Sequence, residues 1–328
     1  MSITLEYLPE PKLQFGHFFE HEDAKTGLAE FGPFGKNVDG LHPPYIKVGF
    51  VGTRETISGC KEWIEDCSDR IESQNVGRAN RRPTSGPVDL LIEAQHEESQ
   101  NIRYEKILNR DFVGMNAESP FNCCFQMNER WEKPLLGDEI ADILRIDDKQ
   151  KRIWTLVDMF ESGIRTLAET PPSPHIVILA LTPQIVEHAH SVQVSGNFYL
   201  NLRRAIKARS MKWGLPIQLL QRRTILGTGP ELQEKATRAW NFCTAQYYKA
   251  DGVPWRPLTL ERDVCFAGIS FYVAREVNEQ ISMRASVAQA FDYRGQGLVL
   301  RGDPFQWDEQ KMGRSLDFDT LNWPTVML

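Results

Sequence analysis

His175-Ile176-Val177-Ile178-Leu179-Ala180-Leu181, residues 175–181 (HIVILAL), is apolar at every position after its histidine. A strand with one wet face alternates apolar and polar residues, whereas a strand covered by helices on both faces reads as a continuous run. The stretch therefore predicts a buried strand of a largely parallel sheet. Immediately upstream, Ile153, Leu156, Val157, Phe160, Ile164 and Leu167 recur at helical steps, closed by Pro171 and Pro172, and Ile140, Ile143 and Leu144 predict a shorter helix before them. Further upstream, Tyr45 to Val51 reads as a strand closed by Gly52. A helix follows on Ile57, Cys60, Ile64, Cys67 and Ile71. Downstream, a helix is expected from about Phe198 to Lys212, ended by Gly214-Leu215-Pro216, and Ile217 to Leu220 resumes a strand. Strands and helices in alternation define an α/β layer.

Gly227-Thr228-Gly229-Pro230 breaks the pattern, and a helix running to Gly252 follows, with Pro230 suited to its first turn. The last ninety or so residues change character: Val264 to Val273, Ser286 to Tyr293 and Gly297 to Arg301 predict three strands of an antiparallel meander. The expected division is residues 1–229 and 230–328. Gln74 to Pro87, with Arg78, Arg81 and Arg82, reads as an exposed loop.

The 328 residues carry a net charge of −6, with 41% hydrophobic and 25% charged residues, which is the composition of an ordinary globular protein. An acidic chain has no general attraction for nucleic acid, so a phosphate partner needs a local, shaped site. The N-terminus has neither a basic start nor an apolar core, and the longest apolar run, Ile176 to Leu181, is too short for a bilayer. A soluble cytoplasmic protein without a membrane partner is expected. The six cysteines show no CxxC spacing, so neither zinc nor disulfides are expected.

Between Asn197 and Pro230 lie seven cations, Arg203, Arg204, Lys207, Arg209, Lys212, Arg222 and Arg223, and no Asp or Glu. On a helix Arg203 and Lys207 share a face, with Tyr199 one turn earlier. Gln218 opens the next strand. In the following helix Asn241, Ala245 and Lys249 also lie four apart, away from Ala239, Cys243 and Tyr247. Two helices can thus present Tyr, Arg, Lys and Asn to one pocket, a donor set suited to a terminal phosphate. The bland alternative is a solvated basic face. Other signals are weaker. Glu187-His188-Ala189-His190 puts its histidines on different helix faces, and Gly49-x-x-Gly52 lacks a nucleotide-loop fingerprint. His17, His21 and their acidic neighbours read as an exposed charged segment.

The order IKVGFV, HIVILAL, a helix with Arg203 and Lys207, PIQLL and AWNFCTAQYYKADGVPWR, leading into VCFAGISFY and VAQAFDYRGQGLVLRG, resembles the MID and PIWI domains of short prokaryotic Argonautes. GLAEFGPFG before the first strand is similar to that subgroup too, and the resemblance covers roughly residues 15–310. It implies a Rossmann-like MID domain followed by a partial ribonuclease H-like PIWI domain. It also implies a guide 5′-phosphate site at Arg203, Lys207, Gln218, Asn241 and Lys249. A second register puts Tyr199 and Arg203 in the positions otherwise held by Arg203 and Lys207.

Cutting members bind two divalent ions through PIWI carboxylates, the first in mid-strand after a Gly-x pair. Here Ser270 follows Gly268-Ile269, and a hydroxyl cannot replace a metal-bridging carboxylate. A binding protein rather than an enzyme is expected, and Asp292 and Asp303 are expected to be turn residues. After Trp307 the likeness stops, which implies an end part-way through PIWI. The implied partners are a small 5′-phosphorylated guide RNA, a single-stranded DNA target and a separately encoded effector, in defence against plasmids or phage. No cofactor is expected beyond a Mg2+ ion compatible with the guide 5′-phosphate. The competing expectations are a divergent metal nuclease using Asp292 and an effector-binding scaffold that takes no guide.

Overall fold

The computed structural model describes residues 10–74, 110–195, 198–228, 232–258, 264–275, 281–291, 297–300 and 304–306. Most of the loop expected over Gln74 to Pro87, with its three arginines, lies outside them, as do Asp292 and Asp303. The chain divides into a unit spanning Leu13–Trp255 and a second built on residues 256–328 with 1–12.

The first unit opens on two short antiparallel strands, β1 (Leu13–Gln14) and β2 (Glu20–His21). Helix α1 (Ala24–Phe31) follows, its N-cap Asp23 accepting from Thr26 N at 2.7 Å. Then come β3 (Tyr45–Gly52), α2 (Arg54–Asp66), β4 (Cys124–Pro134), α3 (Gly137–Leu144), α4 (Lys149–Ala168), β5 (Ile176–Leu181) and α5 (Pro183–Ala189). The hairpin β6 (Ser191–Ser195) and β7 (Phe198–Asn201) precedes α6 (Leu202–Ser210), β8 (Ile217–Gln221), the single-turn α7 (Arg222–Leu226) and α8 (Lys235–Lys249). The sheet runs β4-β3-β5-β8 with every pair parallel.

All six residues of β5 are buried, and period-two alternation sends them to two different cores. Ile176, Ile178 and Ala180 pack with Ile57, Cys60 and Trp63 of α2 and with Ala239, Trp240 and Cys243 of α8. Val177, Leu179 and Leu181 pack with Leu156, Phe160 and Ile164 of α4, Ile185 of α5 and Ile206 of α6. The continuous apolar run of residues 176–181 is thus explained by helices on both faces. Gly163 lets α4 lie close on the sheet: a Cβ there would meet Val51 Cγ1 at 2.6 Å.

Two sequence expectations, on helix bounds, are corrected. The helix expected from Phe198 starts at Leu202. Phe198–Asn201 pairs antiparallel with Ser191–Ser195, and the Asn201 side chain accepts from Arg204 N at 3.1 Å, which fixes the helix start at that cap. The first compact unit runs to Trp255, past residue 229, because α8 buries Ala236, Ala239, Trp240, Cys243 and Tyr247 in the core of that unit. The helix on Ile57 stops at Asp66, and Ile71 instead forms an isolated bridge with Phe112.

In the second unit β9 (Phe266–Arg275), β10 (Ile281–Phe291) and β11 (Gly297–Leu300) form the expected antiparallel order, with β12 (Pro304–Gln306) also on β10. The middle strand begins at Ile281 rather than Ser286. Ser270 stands opposite Val287, and the register shifts between Ser270 and Phe271. Among the described residues, no helix is long and apolar enough to cross a membrane.

Candidate anion-binding site

Helix α6 is amphipathic in the sense that matters here. Leu202, Ala205, Ile206 and Ser210 turn inward, which leaves Arg203 and Lys207, one turn apart, on an outer face. That face, the strand β8 and the start of α7 enclose a cavity of about 240 Å³. Its wall includes Arg203, Lys207, Gln218, His190, Arg223 and Thr224, and no Asp or Glu. The last residue of α8, Lys249, reaches it from behind: its Nζ donates to Gln218 Oε1, while Gln218 Nε2 donates to Leu219 O at 3.0 Å.

Lys249 carries the electrostatic signature of the site. Burial, then the neighbouring charges of Lys207 and Arg203, push its ammonium down to about 8. Desolvation penalises a charge, and two like charges penalise it again. A dianion placed among these three cations would reverse the second penalty.

The remaining cations of the segment are mostly engaged. Arg209 Nε donates to Glu161 Oε2 at 2.8 Å and Nη2 to Asp158 Oδ1 at 2.9 Å, and Lys212 also pairs with Glu161. Hydrogen bonds from Lys212 and Arg209 hold the Glu161 carboxyl down to about 2. Arg222 Nη1 donates to Glu55 Oε1 at 2.7 Å. The segment is free of acids in sequence, but α4 and α2 supply them in space. Among the described residues, Arg203 and Lys207 have no carboxylate partner.

Of the residues expected at the site, the structure brings together Arg203, Lys207, Gln218 and Lys249. It does not bring Tyr199, which sits on β7 opposite Gln193 and is 56% exposed. Tyr199 therefore does not stand one helical turn before Arg203 on the same helix. Nor does it bring Asn241, whose Nδ2 donates to Gln233 Oε1 at 2.8 Å on the exposed side of α8. His190, Gln221, Arg223, Thr224 and Leu232 also line the cavity, and of these only Arg223 belongs to the cationic cluster read from the sequence. The doubled arginine after PIQLL was the available signal, since β8 ends at Gln221. Among the described residues, no group of three or more His, Cys, Asp or Glu is placed to hold a metal, and all six cysteines are free.

The state of Lys249 gives a measurable consequence. The unfolded chain keeps its proton up to about 10.5, whereas the folded chain releases it near 8. Folding therefore expels a proton between these values, and stability rises with pH across that window. The urea midpoint of the wild type should increase from pH 8 to 10 relative to Lys249→Met. Parallel profiles for the two proteins would contradict the assignment.

No protein-family model matches the chain, and no curated protein matches it. Among solved structures it is similar to Clostridium butyricum Argonaute bound to a guide DNA and a 19-mer target DNA, at 14% identity and a TM-score of 0.44, over 91% of this chain and 31% of that one. It is also similar to Aquifex aeolicus Argonaute, at 10% identity and a TM-score of 0.39, over 92% of this chain and 33% of that one. The chain spans about a third of the length of these two proteins.

Proposed function

We propose that the chain is a guide-dependent nucleic-acid-binding protein of the short Argonaute type, which anchors the 5′-phosphate of a small guide RNA in the cavity between α6, β8 and α7. The observation that carries this reading is a concave site walled by Arg203, Lys207 and Arg223, backed by Lys249 and free of carboxylates. Like charges held together without counterions are costly, and a terminal phosphate is the anion that accepts a guanidinium, an ammonium and an amide at once. The cavity, about 240 Å³, is large enough to take a terminal phosphate, and its cations reward the second negative charge that a chain end carries and an internal phosphodiester lacks.

The rest of the reading rests on the sequence resemblance. Leu13–Trp255 is the MID-like unit, and β9 to β12 belong to the PIWI-like one. With Ser270 in place of the first metal-bridging carboxylate, the protein binds and does not slice. The target is single-stranded DNA read by base pairing, and a separately encoded cytoplasmic effector supplies the chemistry of defence against plasmids or phage.

Filter binding with one oligoribonucleotide, 5′-phosphorylated or 5′-hydroxyl, tests the anchor. The phosphorylated form should be retained at concentrations about thirty-fold lower. Equal retention of the two forms would leave the scaffold reading in its place.

A further inference from the structure

One wall of the cavity is built from a segment that cannot hold itself. Helix α7 has five residues, far below the length at which a helix is stable alone, yet it and the strand end before it supply Gln221, Arg223 and Thr224 to the wall. Its last carbonyls lack intrahelical partners, as at any helix C-terminus. They find one in Arg238 of α8. Arg238 Nη1 donates to Thr224 O and, at 3.1 Å, to Ile225 O, and its Nε donates to Gln233 O at 3.0 Å. The guanidinium lies over the Trp63 ring, 5.3 Å from its centroid. Among the described residues no carboxylate pairs with it.

Gly227 completes the arrangement. It caps α7 at φ +70, where a side chain is strained, and a Cβ there would meet Arg238 Nη2 at 2.6 Å. Glycine makes the turn without strain and leaves the guanidinium room to approach. A fork donating to three carbonyls, two from one end of α7 and one from the chain beyond it, is a use of arginine that lysine cannot reproduce.

We infer that Arg238 and Gly227 form a latch that positions the α7 wall of the phosphate cavity, so that selectivity for a terminal phosphate depends on a cation outside the cavity. The inference rests on the function proposed above. Helix α8 then has two roles: Lys249 at its end backs the site, and Arg238 in its first turn holds the α7 wall.

The test compares wild type, Arg238→Lys, Arg238→Ala and Gly227→Ala for retention of the 5′-phosphorylated and 5′-hydroxyl oligoribonucleotide. Amide hydrogen exchange over residues 222–228 is measured alongside. Gly227→Ala separates position from charge, because it disturbs the latch and removes no cation. The expected result is a loss of about ten-fold in the phosphorylated-to-hydroxyl affinity ratio for Arg238→Ala and Gly227→Ala, with a smaller loss for Arg238→Lys. Exchange over 222–228 should quicken while that of α4 is unchanged, and the salt dependence of binding should keep its wild-type slope.

A ratio kept at the wild-type value in both Arg238→Ala and Gly227→Ala would overturn the latch, as would a loss confined to the Arg238 variants with a reduced salt slope. A wild-type ratio near one overturns the anchor itself, which is a different failure.

Discussion

Replacing Arg203 and Lys207 together by alanine should weaken binding of a 5′-phosphorylated oligonucleotide by on the order of a hundred-fold and change binding of its 5′-hydroxyl counterpart by no more than about three-fold. Each removed group is a charge-assisted donor to phosphate, and each stands on the cavity wall without a carboxylate to share it. The loss should not come from unfolding. Both side chains depress the Lys249 ammonium, so deleting them relieves a repulsion in the unliganded protein. Both positions lie on the outer face of α6, where alanine is a better helix former than the residues replaced. The double variant should therefore match or exceed the wild type in urea resistance. A variant that keeps its preference for the phosphorylated end would place the anion elsewhere.

The second large effect concerns the placement of α8. Trp240 is 1% exposed, packs edge-on to Phe112 at 5.1 Å and against Phe121 at 5.9 Å, and donates its indole N–H to Asp111 O at 3.1 Å. Trp240→Ala should cost about 3–5 kcal/mol by removing those contacts and leaving a cavity, while Trp240→Phe keeps most of the ring packing and loses the hydrogen bond. Urea denaturation of the two variants measures the difference. Because Cys243 and Tyr247 lie in the same core as Ile176 and Ile178, the whole unit Leu13–Trp255 should lose stability in one transition. A cost below about 1 kcal/mol would mean that α8 is not part of the core of that unit.

The sequence carried the layered fold well where periodicity was strong. The continuous run in β5 and the three- and four-residue steps of α2 and α4 are direct images of burial on both faces or on one stripe. It misled between residues 191 and 201. Phe198-Tyr199-Leu200 fits a helical stripe when read with Arg203, but its aromatic and branched residues suit a strand equally, and the Asn201 cap decides the matter. The site was half legible for a related reason. Charges at i and i+4 on α6 announce themselves locally, whereas the acids that occupy Arg209, Lys212 and Arg222 come from Asp158, Glu161 and Glu55, on other elements of the chain. Which cations of a basic segment stay available is a tertiary property. The same holds for Arg238, whose function is visible only once α7 lies against α8.

The most direct measurement follows the Lys249 ammonium by NMR through pH, in the free protein and with a saturating 5′-phosphorylated oligonucleotide. The free protein should titrate near 8, and the bound form should hold its proton to clearly higher pH, because a dianion beside Arg203 and Lys207 reverses the repulsion that lowers it. An unchanged Lys249 titration in the complex would mean that the phosphate does not enter this cavity.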